Sequence, residues 1–154
     1  MIFGCLLAVK DVAKARAFYE ELFGLKVIAD FGLNIGFDCG LNLQQSFSWL
    51  TGIPEEEIKD KENNCELYFE DRDFDGLVKK VMTRDDVTLL HEVRECPWGQ
   101  RVLRFYDLDN HLIEVGESMK SVVERFQSQG MTLEKICKKM DVTLGDIENM
   151  LKGI

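Results

Sequence analysis

Soft-metal and thiol redox chemistry in this chain would draw on two histidines, His91 and His111, and five cysteines, Cys5, Cys39, Cys65, Cys96 and Cys137. The cysteine number is odd and no pair has CxxC spacing, which argues against a disulfide framework or a zinc ribbon. Buried free thiols in a reducing compartment are the expectation. Acid–base chemistry falls instead to carboxylates in strand-like segments. Glu66 and Glu114 are the pair of interest. One could give and the other take a proton if burial raised one pKa and the fold brought them together. His111 has the opposite strand parity to Glu114, so the two should face opposite sides of one sheet.

The bulk properties narrow the classes of function. The chain has 154 residues, 45% of them hydrophobic and 31% charged, in keeping with a water-soluble globular protein with a proper core. Its net charge is −9. Residues 117–154 hold six acids and six bases, so residues 1–116 carry the whole excess. Such a surface repels phosphate backbones, and no nucleic-acid partner is expected. No apolar run approaches the roughly 20 residues that span a bilayer, so no membrane partner is expected either. The opening MIFGCLLAVKD reads as a first strand without a basic leader, and a cytoplasmic location follows as the expectation.

The elements that must position these side chains are legible from periodicity. An apolar run at residues 3–9 is a strand, Asp11 is a helix N-cap, and Ala15, Phe18, Tyr19, Leu22 and Phe23 recur at helical spacing up to Gly24. Strands are predicted over 25–29, 33–37 and 41–45. The same order then repeats: a strand over 66–70, a helix capped by Asp73, and strands over 87–93, 99–106 and 111–115. Aligning Asp11 with Asp73 gives an offset of 62, which also sets Gly4 on Glu66 and Val27 on Leu89. The fold class is therefore α+β, with two tandem βαβββ modules in a domain over residues 1–116. Module one is 1–48, the linker 49–64 and module two 65–116. A short helix is predicted near Pro54 within the acidic linker.

Residues 117–154 form a helical tail. Met119, Val122, Val123 and Phe126 make one stripe, and Thr132 and Thr143 cap two further helices. The last two helices look like a helix-turn-helix, but Asp146, Glu148 and Asn149 are wrong for a groove-reading helix. Packing or dimerisation is the expected use of the tail; as a dimerising arm it would bury its stripe on a partner.

The stretch LAVKDVAKARAFYEELFGLKV resembles the opening of glyoxalase, bleomycin-resistance and extradiol-dioxygenase modules, the vicinal oxygen chelate superfamily. RFYDLDNHLIEV resembles the closing hairpin of such modules, with Leu108 and Asn110 in place of the usual Pro and Gly. The resemblance covers residues 3–116. It implies that the modules pair into a curved half-barrel sheet with a ligand in its hollow, and that the protein is a homodimer. It also implies metal-ligand positions on the first and last strands of the modules. These fall on Gly4, Gln44, Glu66 and Glu114. Gly4 has no donor, and neither His91 nor His111 is at a ligand position. Two carboxylates and an amide suit neither zinc nor iron and would hold Mg²⁺ or Mn²⁺ only weakly. No resident cofactor is therefore expected.

Strand parity places Leu112 with Glu114, and Tyr68 with Glu66, on the hollow side, with Trp49, Trp98 and Arg104 at its mouth. Each residue also has a plainer role. Glu114 can be a structural acid bonded to Arg104, Glu66 a half-exposed strand start, Tyr68 packing, and Trp98 a loop anchor after Pro97. The resulting expectation is a small-molecule binding protein for a planar or aromatic organic compound, lacking the usual catalytic metal site. The alternatives are a lyase, isomerase or dioxygenase relative using Glu66, Glu114 and Gln44, and an interaction protein that assembles through its tail.

Overall fold

The computed structural model describes residues 3–153. The chain resolves into two compact units. One reaches to Glu62 and takes in Leu108–His111; the other holds Asn63–Asp107 and the chain from Leu112 onward. Each contains one open four-stranded sheet.

In the first unit, β1 (Cys5–Val9), β2 (Val27–Asp30), β3 (Asn34–Phe37) and β4 (Leu41–Gln45) take the order β1-β4-β3-β2. β1 and β4 are parallel and the other pairs antiparallel. Helix α1 (Val12–Phe23) is started by the Asp11 carboxylate, which accepts from the Ala13 and Lys14 amides and satisfies two donors the helix cannot. Its face of Ala15, Phe18, Tyr19 and Leu22 packs on β3 and β4, burying them with Leu7, Val9, Ile35, Phe37 and Leu43. Alternation then leaves Leu6, Ala8, Asn42 and Gln44 on the opposite face.

The second unit repeats the plan. β5 (Leu67–Asp71), β6 (Thr88–Glu95), β7 (Arg101–Tyr106) and β8 (Leu112–Glu117) take the order β5-β8-β7-β6, with β5 and β8 parallel. Between β4 and β5 come a short helix α2 (Phe47–Thr51), which straddles the predicted module–linker boundary, and a single 3-10 turn at Glu55–Glu57. Helix α3 (Phe74–Met82), capped by Asp73, packs on β5 and β8 through Phe74, Leu77 and Val81. The α+β class and the tandem order of elements hold throughout.

Two features add to the sequence reading. First, the closing turn of the second module, Leu108–His111, belongs to the first unit. Buried Asp109 accepts from the Lys10 amide at 2.9 Å, and Asn110, at φ 66°, donates to Asp60 at 3.0 Å. Asp109→Ala should strip the Lys10 amide of its buried acceptor and cost about 1–3 kcal/mol. The check is the urea midpoint: a change with unaltered m supports the role, and an unmoved midpoint rules it out.

Second, the tail packs a core of its own. Helices α4 (Met119–Ser128), α5 (Leu133–Met140) and α6 (Leu144–Lys152) bury Val122, Val123, Phe126, Ile136, Met140 and Ile147 in one cluster among themselves. Three short amphipathic helices joined by tight turns can close over a common core, which periodicity alone does not reveal. The five cysteines are free and none is buried, contrary to the expectation for them.

Candidate functional site

The register of the second sheet builds a row of polar side chains. Parallel pairing sets Tyr68 opposite Glu114; antiparallel pairing sets Arg104 opposite Glu114 and His91 opposite Arg104. Paired residues in neighbouring strands point to the same side. Ile113, Val115, Leu103 and Phe105 fill the helix side, so Tyr68, Glu114, Arg104 and His91 share the face away from α3. Leu112 lies on that face two residues before Glu114, and Glu66 lies there two residues before Tyr68.

Arg104 is the centre of the row. Its Nε donates to Glu66 at 2.9 Å, and its Nη2 forms an ion pair with the Oε2 of Glu114. Glu114 is buried and Glu66 partly exposed. One guanidinium therefore spans both carboxylates, a match its planar fork of donors suits. The three groups together carry one negative charge. Arg104, expected at the mouth of a hollow, stands on the sheet itself. Among the described residues no three His, Cys, Asp or Glu side chains converge as metal ligands do.

A second network runs beside the first. The Tyr68 hydroxyl donates to Glu70 at 2.6 Å and accepts from Gln100 Nε2 at 2.7 Å. Gln100 is buried; its Nε2 also donates to the Glu117 carbonyl at 3.0 Å, and its Oε1 accepts from Trp98 Nε1 at 3.1 Å. A side chain at position 116 would come within 2.7 Å of that amide, so Gly116 is what lets Gln100 cross the sheet to Tyr68. Burial, reinforced by the Glu70 hydrogen bond, pushes the Tyr68 phenol up to about 12. At neutral pH it is a hydroxyl that donates and accepts, not a base. Tyr68 and Trp98 keep 49% and 41% of their surface exposed, enough to offer a ring face to a ligand.

His91 was set aside in the sequence reading, yet it lies in the row. The pairing of β6 with β7 is irregular on both sides of this residue, so counting alternate residues along the strand fails there. Its Nδ1 lies 2.7 Å from the Glu92 carbonyl, which can only accept, so Nδ1 carries a proton. Nε2 is buried with no hydrogen-bond partner among the described residues.

Gln44 and Trp49 belong to the first unit. Gln44 is buried, its Oε1 accepting from Asn34 at 3.0 Å and its Nε2 donating to the Gln45 carbonyl at 2.6 Å. Both ends of its amide are thus in use. Trp49, on α2, is highly exposed. Gly4 precedes β1, close against Asn42 and the Gly40 carbonyl.

The Glyoxalase-like domain family model matches residues 2–120, which leaves almost all of α4–α6 outside it. A solved structure of a protein of unknown function from Agrobacterium tumefaciens is 34% identical, with TM-score 0.67, and covers 77% of this chain and 94% of its own. A glyoxalase/bleomycin resistance protein/dioxygenase family enzyme from Burkholderia phytofirmans is 16% identical, with TM-score 0.64, over 73% of this chain and 94% of its own. A genomically encoded fosfomycin resistance protein from Listeria monocytogenes is 21% identical, with TM-score 0.58, over 76% and 92%. None of the curated proteins matches. Among the described residues no helix is long and apolar enough to cross a membrane.

Proposed function

The chain belongs to the glyoxalase-like domain family of the vicinal oxygen chelate superfamily, and on that premise we propose that it binds a small organic molecule on the face of its second sheet without a catalytic metal. The observation that carries this reading is the Glu66–Arg104–Glu114 bridge. Glu66 and Glu114 stand where the family resemblance puts two of its metal ligands, and the Arg104 guanidinium already engages both. A divalent ion would have to displace a tethered cation and then find further donors, so this donor set does not fit one. The same bridge weighs against paired-carboxylate proton transfer, since one guanidinium occupies both groups.

Tyr68 and Trp98 offer exposed ring faces, and the adjoining groups are hydrogen-bonded and net negative. That combination favours a planar aromatic compound with a basic or hydrogen-bond-donating substituent. Partnership with a second copy of the chain is part of this reading. The tail buries Val122, Val123, Phe126, Ile136, Met140 and Ile147 in its own core, while Leu133 and Leu144 remain exposed.

Proflavine, a planar cation, is a suitable probe. It should bind saturably, and Tyr68→Ala and Glu114→Gln should each weaken it about tenfold. Unchanged affinity in both variants would sink the assignment of the face. One equivalent of tightly held Mn, Fe, Ni or Zn in protein purified without chelator would sink the metal-free reading.

A further inference from the structure

We propose that the C-terminal helices are a positioning element of the ligand site: Arg125 and Phe126 of α4 clamp the β6–β7 turn that carries Trp98 and Gln100, and through Gln100 fix the Tyr68 hydroxyl. The inference rests on reading the face of the second sheet as the binding surface.

The turn is formed by Cys96–Gln100. The Cys96 amide donates to the Gln100 carbonyl and the Gly99 amide to the Cys96 carbonyl, both at 2.8 Å. The tail holds this turn on both legs. Arg125 Nη2 donates to the Gly99 carbonyl. Gly99 has φ 95°, and any side chain there would run into the Phe126 ring, so glycine is what lets that ring lie against the turn. On the other leg, Glu95 meets Arg125 at 3.5 Å and Lys139 of α5 at 3.6 Å. The two cations also lie 4.9 and 5.2 Å from the centre of the Phe126 ring. One aromatic side chain thus joins the tail's core to the hairpin.

From the turn the linkage reaches the site by two routes. Gln100 Nε2 is shared between the Tyr68 hydroxyl and the carbonyl of Glu117, the residue just before the α4 N-cap Ser118. Independently, the Met119 amide at the start of α4 donates to Glu70 Oε2 at 3.3 Å, and Glu70 Oε1 accepts from Tyr68. Arg125 ties the routes together by donating to both oxygens of Glu117, at 3.1 and 2.9 Å. The family match ends at residue 120, so this clamp is an addition to the shared domain.

A tail that only added stability would let the hairpin keep its order once the fold was intact. In a Trp49→Phe background, Trp98 is the sole tryptophan and its fluorescence reports the turn. Arg125→Met, which keeps the aliphatic stem, should leave the circular dichroism unchanged. It should raise acrylamide quenching of Trp98 about threefold and weaken proflavine about tenfold. Arg125→Lys should restore part of both effects. Phe126→Leu, which keeps the tail core filled, should act in the same direction and serves if Arg125→Met does not fold. Folded variants with unaltered Trp98 quenching overturn the proposal. If proflavine fails to bind the parent protein, the functional reading falls, while the quenching result still decides whether the tail orders the turn.

Discussion

Arg104→Ala should turn the face of the second sheet into a weak divalent-cation site. In the native protein the one guanidinium pairs with both the buried Glu114 and Glu66. Without it, two carboxylates face each other with no counter-charge. Breaking a buried pair by removing one member typically costs about 3–5 kcal/mol, because the remaining charge is left desolvated. A hard cation with oxygen preference relieves that cost, and Mn²⁺ accepts carboxylates with water completing its shell. Binding at about a hundred times Kd returns roughly 2.7 kcal/mol of stability by mass action. The variant should therefore melt well below the native protein in chelator and recover much of the loss in millimolar MnCl₂. The Mn²⁺ electron paramagnetic resonance signal of the free ion should fall in step. The native protein should show no Mn²⁺-dependent shift. An Arg104→Ala variant indifferent to Mn²⁺ would refute the view of the bridge as a substitute for the ion.

Loss of the Glu117 carboxylate should destabilise the second unit about as much as loss of Arg104. Glu117 is 3% exposed and is held by Arg101 at 3.2 Å and Arg125 at 2.9 Å. Arg101 continues to Asp75 on α3 and lies over the Phe74 ring, so one carboxylate links the sheet, the packing helix and the tail. Glu117→Ala takes from two partly buried guanidinium groups the buried carboxylate they share and should cost about 3–5 kcal/mol. A loss below about 1 kcal/mol would place the pair among solvent-screened bridges instead.

The same site sets an acid limit. Burial pushes Glu117 up, but the hydrogen bonds from Arg125 and Arg101 outweigh it and hold the carboxyl below its usual range. A folded pKa below the unfolded one adds stability above about pH 4.3 and loses it as pH falls through the folded value. Melting temperature should drop as pH falls from about 4.3 through the folded value, and Glu117→Gln should flatten the drop.

The sequence itself carried the scaffold. Helix α1 was legible to the residue because Asp11, the stripe Ala15–Phe18–Tyr19–Leu22 and Gly24 are all local signals. The repeat of strand, helix and three strands was legible because each module rewrites the same binary pattern at the same offset. Strand parity put Tyr68 and Glu114 on one side, and the pairing of β5 with β8 sets them opposite each other, since alternation is a property of one strand at a time. Glu114 bonded to Arg104 was one of the two roles weighed for it, and the structure shows that pair. The tertiary structure alone decided the rest. His91 joined the row through irregular pairing that parity cannot count across. Gln100 entered the site because Gly116, sixteen residues later, leaves room for it. The tail turned inward on its own core and onto the Gly99 turn because apolar stripes specify only that burial must occur. Local pattern determines which face of an element is apolar; which side chains then meet depends on pairings between distant segments, and those exist only once the chain has folded.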